Sequence, residues 1–283
     1  MLSPFAANLL TTHLGQLGGR GLSPRLWSRV GGQALSGDGA SNWHFSGDDF
    51  NSFGLTTAVA ANVGRYAGQA GAYLSYEDTG NSIAQLASEV GGVMRVATDA
   101  TDNDESWIQP GGAASVLGKV STTAGADKCM IFEQRVRFGQ VSNTFNFLGG
   151  LSEEGLAAAD TVTDAGALAD KDFIGFWITE ADGDALKFGY RKAGGALQTV
   201  LSSAIAVSTW YKLGFVYDPS APPAKRIKVF IDNVEQSTYV TSTNLAAATF
   251  PDGEELNWLF GIKNGEAAIK NADCDWWHFG QEG

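Results

Sequence analysis

From Cys129 to Phe279 the chain is a nearly continuous series of short segments in which apolar and polar residues alternate. In FEQRVRF, Phe132, Gln134, Val136 and Phe138 fall on one side of an extended backbone, and Glu133, Arg135 and Arg137 fall on the other. That period of two belongs to a strand with one face buried. The same test selects TFNFLGGL, DFIGFWITEADG, ALKFGYRK, STWYKLGFVYD, KRIKVFIDNVEQ, LNWLFGIKNG and CDWWHFG. Each is rich in β-branched or aromatic residues and is bounded by Gly, Asp, Asn or Pro. No amphipathic helix long enough to cross between parallel strands intervenes, so the pattern predicts an all-β antiparallel sandwich. Phe132, Val136, Phe138, Phe147, Phe176, Phe215, Val229, Ile231, Phe260 and Trp277 are the expected inward side chains.

Length and composition fit one large sandwich. The 283 residues include 36 glycines and 11 % aromatics, which suits many turns and a core between two sheets. Residues 1–39 are expected to form an extended or helical arm, and residues 40–283 the sandwich. Between Asn42 and Val120 the pattern is mixed. WHFSGDDFNSFGL, AGAYLSYED and VMRVATD alternate as strands, whereas SIAQLASEV places Ile83, Leu86, Ala87 and Val90 at helical spacing and stays open between the two.

Several pieces carry a family resemblance. Trp210 to Gln236, WYKLGFVYDPSAPPAKRIKVFIDNVEQ, resembles the paired strands of concanavalin A-like jelly rolls, a group that takes in laminin G-like modules and bacteriophage virion proteins. FEQRVRF followed by NFLGGLSE, and the closing DWWHFG, are similar too. Gly91 to Gln109, GGVMRVATDATDNDESWIQ, resembles segments of phage structural proteins with this fold. The resemblance implies a concanavalin A-like jelly roll over roughly residues 40–283. It says little about activity, because the same sandwich hosts lectins, glycosidases, adhesion modules and capsid proteins.

Charge narrows the partners. With 19 basic and 31 acidic residues the net charge is −12, and no Lys/Arg cluster is dense enough to track a phosphate backbone. Nucleic acid is therefore not expected as a partner, nor is a membrane, since no run of about 18 apolar residues occurs. MLSPFAANLL lacks the basic start and sustained apolar core of a secretory signal. Cys129 and Cys274 have no zinc-like spacing and are expected as reduced thiols.

Candidates for chemistry are few. Asp99, Asp102, Asp104 and Glu105 gather carboxylates that could hold calcium, but without the ordered spacing of an EF-hand, so a solvated loop is the expectation. Glycosidases of this fold carry an E-x-D-x-E strand whose alternate acids flank the scissile bond. No such strand is expected in this sequence; the nearest acidic strand positions are Glu133, alone, and Glu180 with Asp182, at a turn beside Gly183. His13, His44 and His278 accompany no nucleophile or metal motif. Gly149–Gly150 and Gly194–Gly195 are expected in turns or bulges. The expectation is accordingly no enzyme, no catalytic residue, no cofactor and no metal.

The arm holds the candidate interaction residues Phe5, Leu9, Leu10, Leu14, Leu17, Arg20, Arg25 and Trp27. Leu9, Leu10, His13, Leu14 and Leu17 recur at the spacing of a short amphipathic helix, and Phe5, Leu10, Leu14, Leu17 and Trp27 are costly to leave in water. Either the arm folds back over the sandwich or it docks on another subunit or particle. Resemblance and arm together imply a virion protein on a capsid surface, made in the host cytoplasm. Its expected partners are the major capsid protein and itself as a homo-oligomer, with a trimer as the guess. The alternative is a carbohydrate-binding module whose partner is a glycan.

Overall fold

The structure, a computed structural model, describes residues 21–30, 43–60, 62–87, 89, 91–111, 116–140, 144–180 and 183–283. Its strands are β1 (Trp43–Asp48), β2 (Gly54–Ala60), β3 (Val63–Gly68), β4 (Gly71–Glu77), β5 (Ser82–Gln85), β6 (Met94–Ala97), β7 (Glu105–Pro110), β8 (Met130–Phe138) and β9 (Phe145–Ser152). They continue as β10 (Phe173–Thr179), β11 (Gly183–Arg191), β12 (Gln198–Ser203), β13 (Trp210–Tyr217), β14 (Ile227–Ile231), β15 (Val234–Val240), β16 (Asn257–Asn264) and β17 (Asn271–Glu282). One eight-stranded sheet has the order β15-β14-β13-β8-β17-β6-β5, with β1 also pairing with β17, and a nine-stranded sheet has the order β12-β11-β10-β9-β16-β7-β4-β3-β2. Every pairing between these strands is antiparallel. Consecutive strands such as β8 and β9, or β16 and β17, lie in different sheets, so the chain passes repeatedly from one layer to the other. This is the predicted concanavalin A-like jelly-roll sandwich.

Between the sheets lies one large apolar cluster. It contains nine of the ten residues expected inward, and Ile231, the tenth, packs against it partly buried. At its centre Trp258 of β16 and Trp277 of β17 stack across the interlayer space, centroids 5.0 Å apart and planes 10° from parallel. Each indole N–H is satisfied: Trp258 donates to Gln134 Oε1 and Trp277 to the Tyr73 hydroxyl, both at 3.2 Å. The Tyr73 hydroxyl in turn donates to Asp48 at 2.8 Å. The two indoles thus fill the core with their own N–H groups paired.

The Asp-Asn turn between β14 and β15 is a hairpin of the type its sequence demands, with φ of 50° at Asp232 and 63° at Asn233. One open reading is settled and two expectations are corrected. Ser82–Gln85 is a strand paired with β6, not a helical turn, because edge pairing satisfies its backbone and buries Ile83, which one isolated turn could not do; Val90 lies outside the described residues. Gly149 and Gly150 sit in the middle of β9, and a Cβ on Gly150 would meet the Gly175 Cα at 2.6 Å, so close strand approach and not a turn selects glycine there. Cys274 lies inside β17 and does not begin it, and it faces Val136, far along β8 from Cys129. Both cysteines are free and buried.

Candidate functional site

The outer face of the eight-stranded sheet is built by alternation in β8 and β17. Glu133, Arg135 and Arg137 point away from the core, and their Cα partners on β17 are His278, Trp276 and Asp273. The register shifts between Cys274 and Trp276, a bulge that turns both Asp275 and Trp276 outward while Trp277 stays in the core. Asp273 receives Arg95 Nε at 2.6 Å and Arg137 Nη2 at 2.6 Å, and Asp275 pairs with Arg135. Arg137 also reaches Glu89 at 3.0 Å. The Arg135 and Arg137 guanidinium carbons lie 4.3 and 4.5 Å from the Trp210 ring centroid on neighbouring β13.

Next to this strip lies the described end of the arm. Leu22, Leu26, Trp27 and Val30 are buried against Ile131, Val216, Phe230 and Trp276. Glu133 fixes them in place: its Oε2 accepts hydrogen bonds from Ser23 N at 3.0 Å and Trp27 Nε1 at 2.7 Å. Burial pushes the Glu133 carboxyl upward, and the donors from Ser23 and Trp27 pull it partly back. Arg25 is exposed, and its backbone N–H donates to Asn233 Oδ1 at 2.9 Å. Phe5, Leu9, Leu10, Leu14, Leu17 and Arg20 lie outside the described residues. Beyond Trp27, Phe45 stacks on Trp43 of the same strand, centroids 6.0 Å apart and planes 9° from parallel, with the Trp27 ring at 6.4 Å. Phe45 is 39 % exposed.

The outer face of the nine-stranded sheet presents Glu105, Trp107 and Gln109 at alternate positions of β7. Residues 153–172 lie over it, with Leu156, Val162 and Leu168 packed on Trp107, Leu148, Trp177 and Leu259. Polar groups of the sheet hold this strap. Gln109 Oε1 accepts from Gly155 N at 2.8 Å, and Glu105 Oε1 accepts from Asp160 N at 2.6 Å. Glu105 Oε2 accepts from Trp107 Nε1 at 2.7 Å, and Lys263 Nζ bridges to Asp164 at 2.7 Å. Burial raises the Glu105 carboxyl to about 7 against these favourable bonds.

The acidic loop is tied to its surroundings. Asp99 accepts from Thr101 N at 2.7 Å, and Asn264 Nδ2 donates to the carbonyls of Asp99 and Thr101. Burial, then the Asp99 carboxylate, raises Asp104 to about 7. Glu105 is buried at the start of β7 and not part of a solvated loop. Among the described residues no three His, Cys, Asp or Glu side chains are placed to hold a metal ion. Glu180 follows the last residue of β10, with its N–H on Asn146 Oδ1 at 3.0 Å; Asp182 lies outside the described residues.

Asp273 and Asp275 escaped the sequence reading. The alternate acids of DCDWWHFG were open to the test applied to E-x-D-x-E, and they do share an outer face. Their environment is nevertheless unlike a hydrolytic pair. Hydrolysis of a glycosidic bond needs one carboxyl protonated and a second free to attack or to activate water. Asp273 and Asp275 are each 1 % exposed in their side chains and bound to guanidinium groups. On the opposite sheet, β7 offers Glu105 alone, under the strap.

No protein-family model matches the chain, and no curated protein does. Among solved structures, a protein of unknown function from Shewanella oneidensis MR-1 superposes at a TM-score of 0.52 and 17 % identity, covering 85 % of this chain and 87 % of that one. A non-specific endo-β-1,3(4)-glucanase of family GH16 follows at 0.48 and 10 % identity, covering 86 % and 92 %, and peanut lectin at 0.45 and 12 %, covering 73 % and 94 %. The last two likenesses are too loose to bring an activity with them. What the sheet order, the interlayer core and the Shewanella structure establish together is the fold, a concanavalin A-like jelly roll.

Proposed function

We propose that this protein is a carbohydrate-binding jelly roll without hydrolytic activity. The observation that supports it is the Trp43–Phe45 pair on β1, two stacked rings at the end of an outer sheet face with Phe45 39 % exposed. Flat apolar rings beside polar side chains suit a sugar, whose C–H face packs on an aromatic plane while its hydroxyls seek donors and acceptors. Its lack of hydrolytic activity is supported by the described carboxylates of β7, β8 and β17: Glu105, Glu133, Asp273 and Asp275 are engaged by Lys263, Ser23, Trp27, Arg95, Arg135 and Arg137. A glycan array followed by affinity electrophoresis tests the reading. Wild-type protein should be retarded by at least one immobilised polysaccharide, which stays unshortened. Phe45→Ala with Trp43→Ala should weaken retention about tenfold or more, as loss of a central aromatic contact does. Retention by no glycan, or equal retention of the double variant, would remove this reading.

A second reading, a capsid-surface protein of a phage virion that binds the major capsid protein and self-associates, is supported by the way Glu133 anchors residues 21–30. In this reading residues 1–20, which precede that anchor in sequence, are the segment that a neighbour would bind. Deleting residues 1–20 should leave the melting temperature within about 2 °C, since it spares the docked segment, and should abolish self-association in light scattering. Persistence of the same oligomer, or none in the full chain, would count against it.

A further inference from the structure

A cavity of about 300 Å³ opens between the docked segment and the outer ends of β13, β14 and β15, a size at the lower end of ordinary ligand sites. Its apolar side is Leu26, Val216 and Phe230, all buried. Three cations, Arg25, Arg29 and Lys228, and two carboxylates, Asp218 and Glu235, also line it, leaving one positive charge in excess.

The carboxylates are already occupied. Asp218 Oδ1 takes Arg29 Nη1 at 2.8 Å and the backbone N–H groups of Ser220 and Ala221 at 2.8 and 3.0 Å. Glu235 Oε1 accepts from the Tyr239 hydroxyl at 3.0 Å. Arg29 is spent on Asp218 and on Ser220 Oγ, which Nη2 reaches at 2.6 Å. Arg25 and Lys228 differ: among the described residues, neither the guanidinium nor the ammonium has a hydrogen-bond or ion-pair partner. Arg25 is placed over the cavity by its backbone bond to Asn233, and Lys228 by its pairing with Val216 across β13 and β14.

We propose that this cavity is a binding site for a small, singly charged carboxylate carried on an apolar or ring-shaped body. The carboxylate sits between Arg25 and Lys228, and the body lies against Phe230 and Val216. One negative charge cancels the excess, whereas a dianion would overcharge a pocket that already holds Asp218 and Glu235. The site is separate from Trp43 and Phe45 and stands whether or not neutral glycans bind there.

The full chain would be titrated by calorimetry and by NMR with sodium glucuronate, benzoate and acetate, and with methyl glucoside as the neutral comparator. Saturable binding of glucuronate or benzoate, stronger than acetate and absent for methyl glucoside, is expected; the preferred body tells a sugar acid from an aromatic acid. Lys228→Ala and Arg25→Gln should each weaken it about tenfold or more, the size of one charge-assisted hydrogen bond. Lys228→Arg should restore most of it. Arg25 is exposed and Lys228 half-buried, and unchanged melting curves would confirm that the variants fold. Binding of no carboxylate, binding indifferent to both substitutions, or equal binding of methyl glucoside would overturn the proposal.

Discussion

Trp27→Ala is expected to release residues 21–30 from the sandwich and to lower the free energy of unfolding by about 3–5 kcal/mol, the range for deleting a large buried aromatic. The indole is 4 % exposed and sits between the arm and the eight-stranded sheet. Its N–H is also one of two donors to a carboxylate that is 1 % exposed. Truncation therefore removes apolar contact with Ile131, Val216 and Trp276 and takes a partner from a buried charge, two costs that fall on one side chain. Trp27→Phe separates them in large part, because it keeps one packed ring while losing the hydrogen bond to the charged acceptor, worth about 1.5–3 kcal/mol. Urea unfolding gives the sizes, and trypsin gives the place: Arg25 and Arg29 should be cut much faster in Trp27→Ala. Unchanged cleavage together with an unchanged urea midpoint would show that the segment contributes nothing to the fold.

Much of the sandwich was legible because its signal is local. A strand with one buried face writes period two into its own residues, and Asp232–Asn233 writes its turn into two. SIAQLASEV stayed open because short apolar runs satisfy both periods, and only β6 alongside decides for Ser82–Gln85. Glu133 was visible as a lone acid, yet its role depends on Ser23 and Trp27, more than a hundred positions earlier. The strap had no legible signal: residues 153–172 carry no periodicity, and Gln109, Glu105 and Lys263 hold them from other strands. The Asp273–Asp275 pair was legible, but its engagement by Arg95, Arg135 and Arg137 was not, since each guanidinium arrives from a neighbouring strand.

The strap should respond to pH through Glu105. Its carboxyl is raised in the folded chain from 4.5 to about 7, chiefly by burial. The folded state thus binds a proton that the unfolded state releases between those values. The stabilisation is fully present below about pH 4.5 and is lost as the pH rises through about 7, so linkage from this group works against the fold in the alkaline direction. A gap of this width corresponds to about 3 kcal/mol at most. Asp104 and Glu133 move in the same direction, so the wild-type slope belongs to several groups and a substitution is needed to isolate one. Glu105→Gln is neutral at every pH. It keeps one oxygen for Trp107 Nε1 or Asp160 N and turns an amide toward the other, a cost that does not vary with pH. The difference between wild type and variant should therefore shift in favour of the variant by about 2–3 kcal/mol between pH 5 and pH 8, whatever its constant part. Urea midpoints at both pH values measure the shift. Proteolysis within residues 153–172, faster for wild type at pH 8 than at pH 5 and level in the variant, locates it at the strap. Parallel pH dependence in the two proteins would mean that Glu105 does not set the strap's stability.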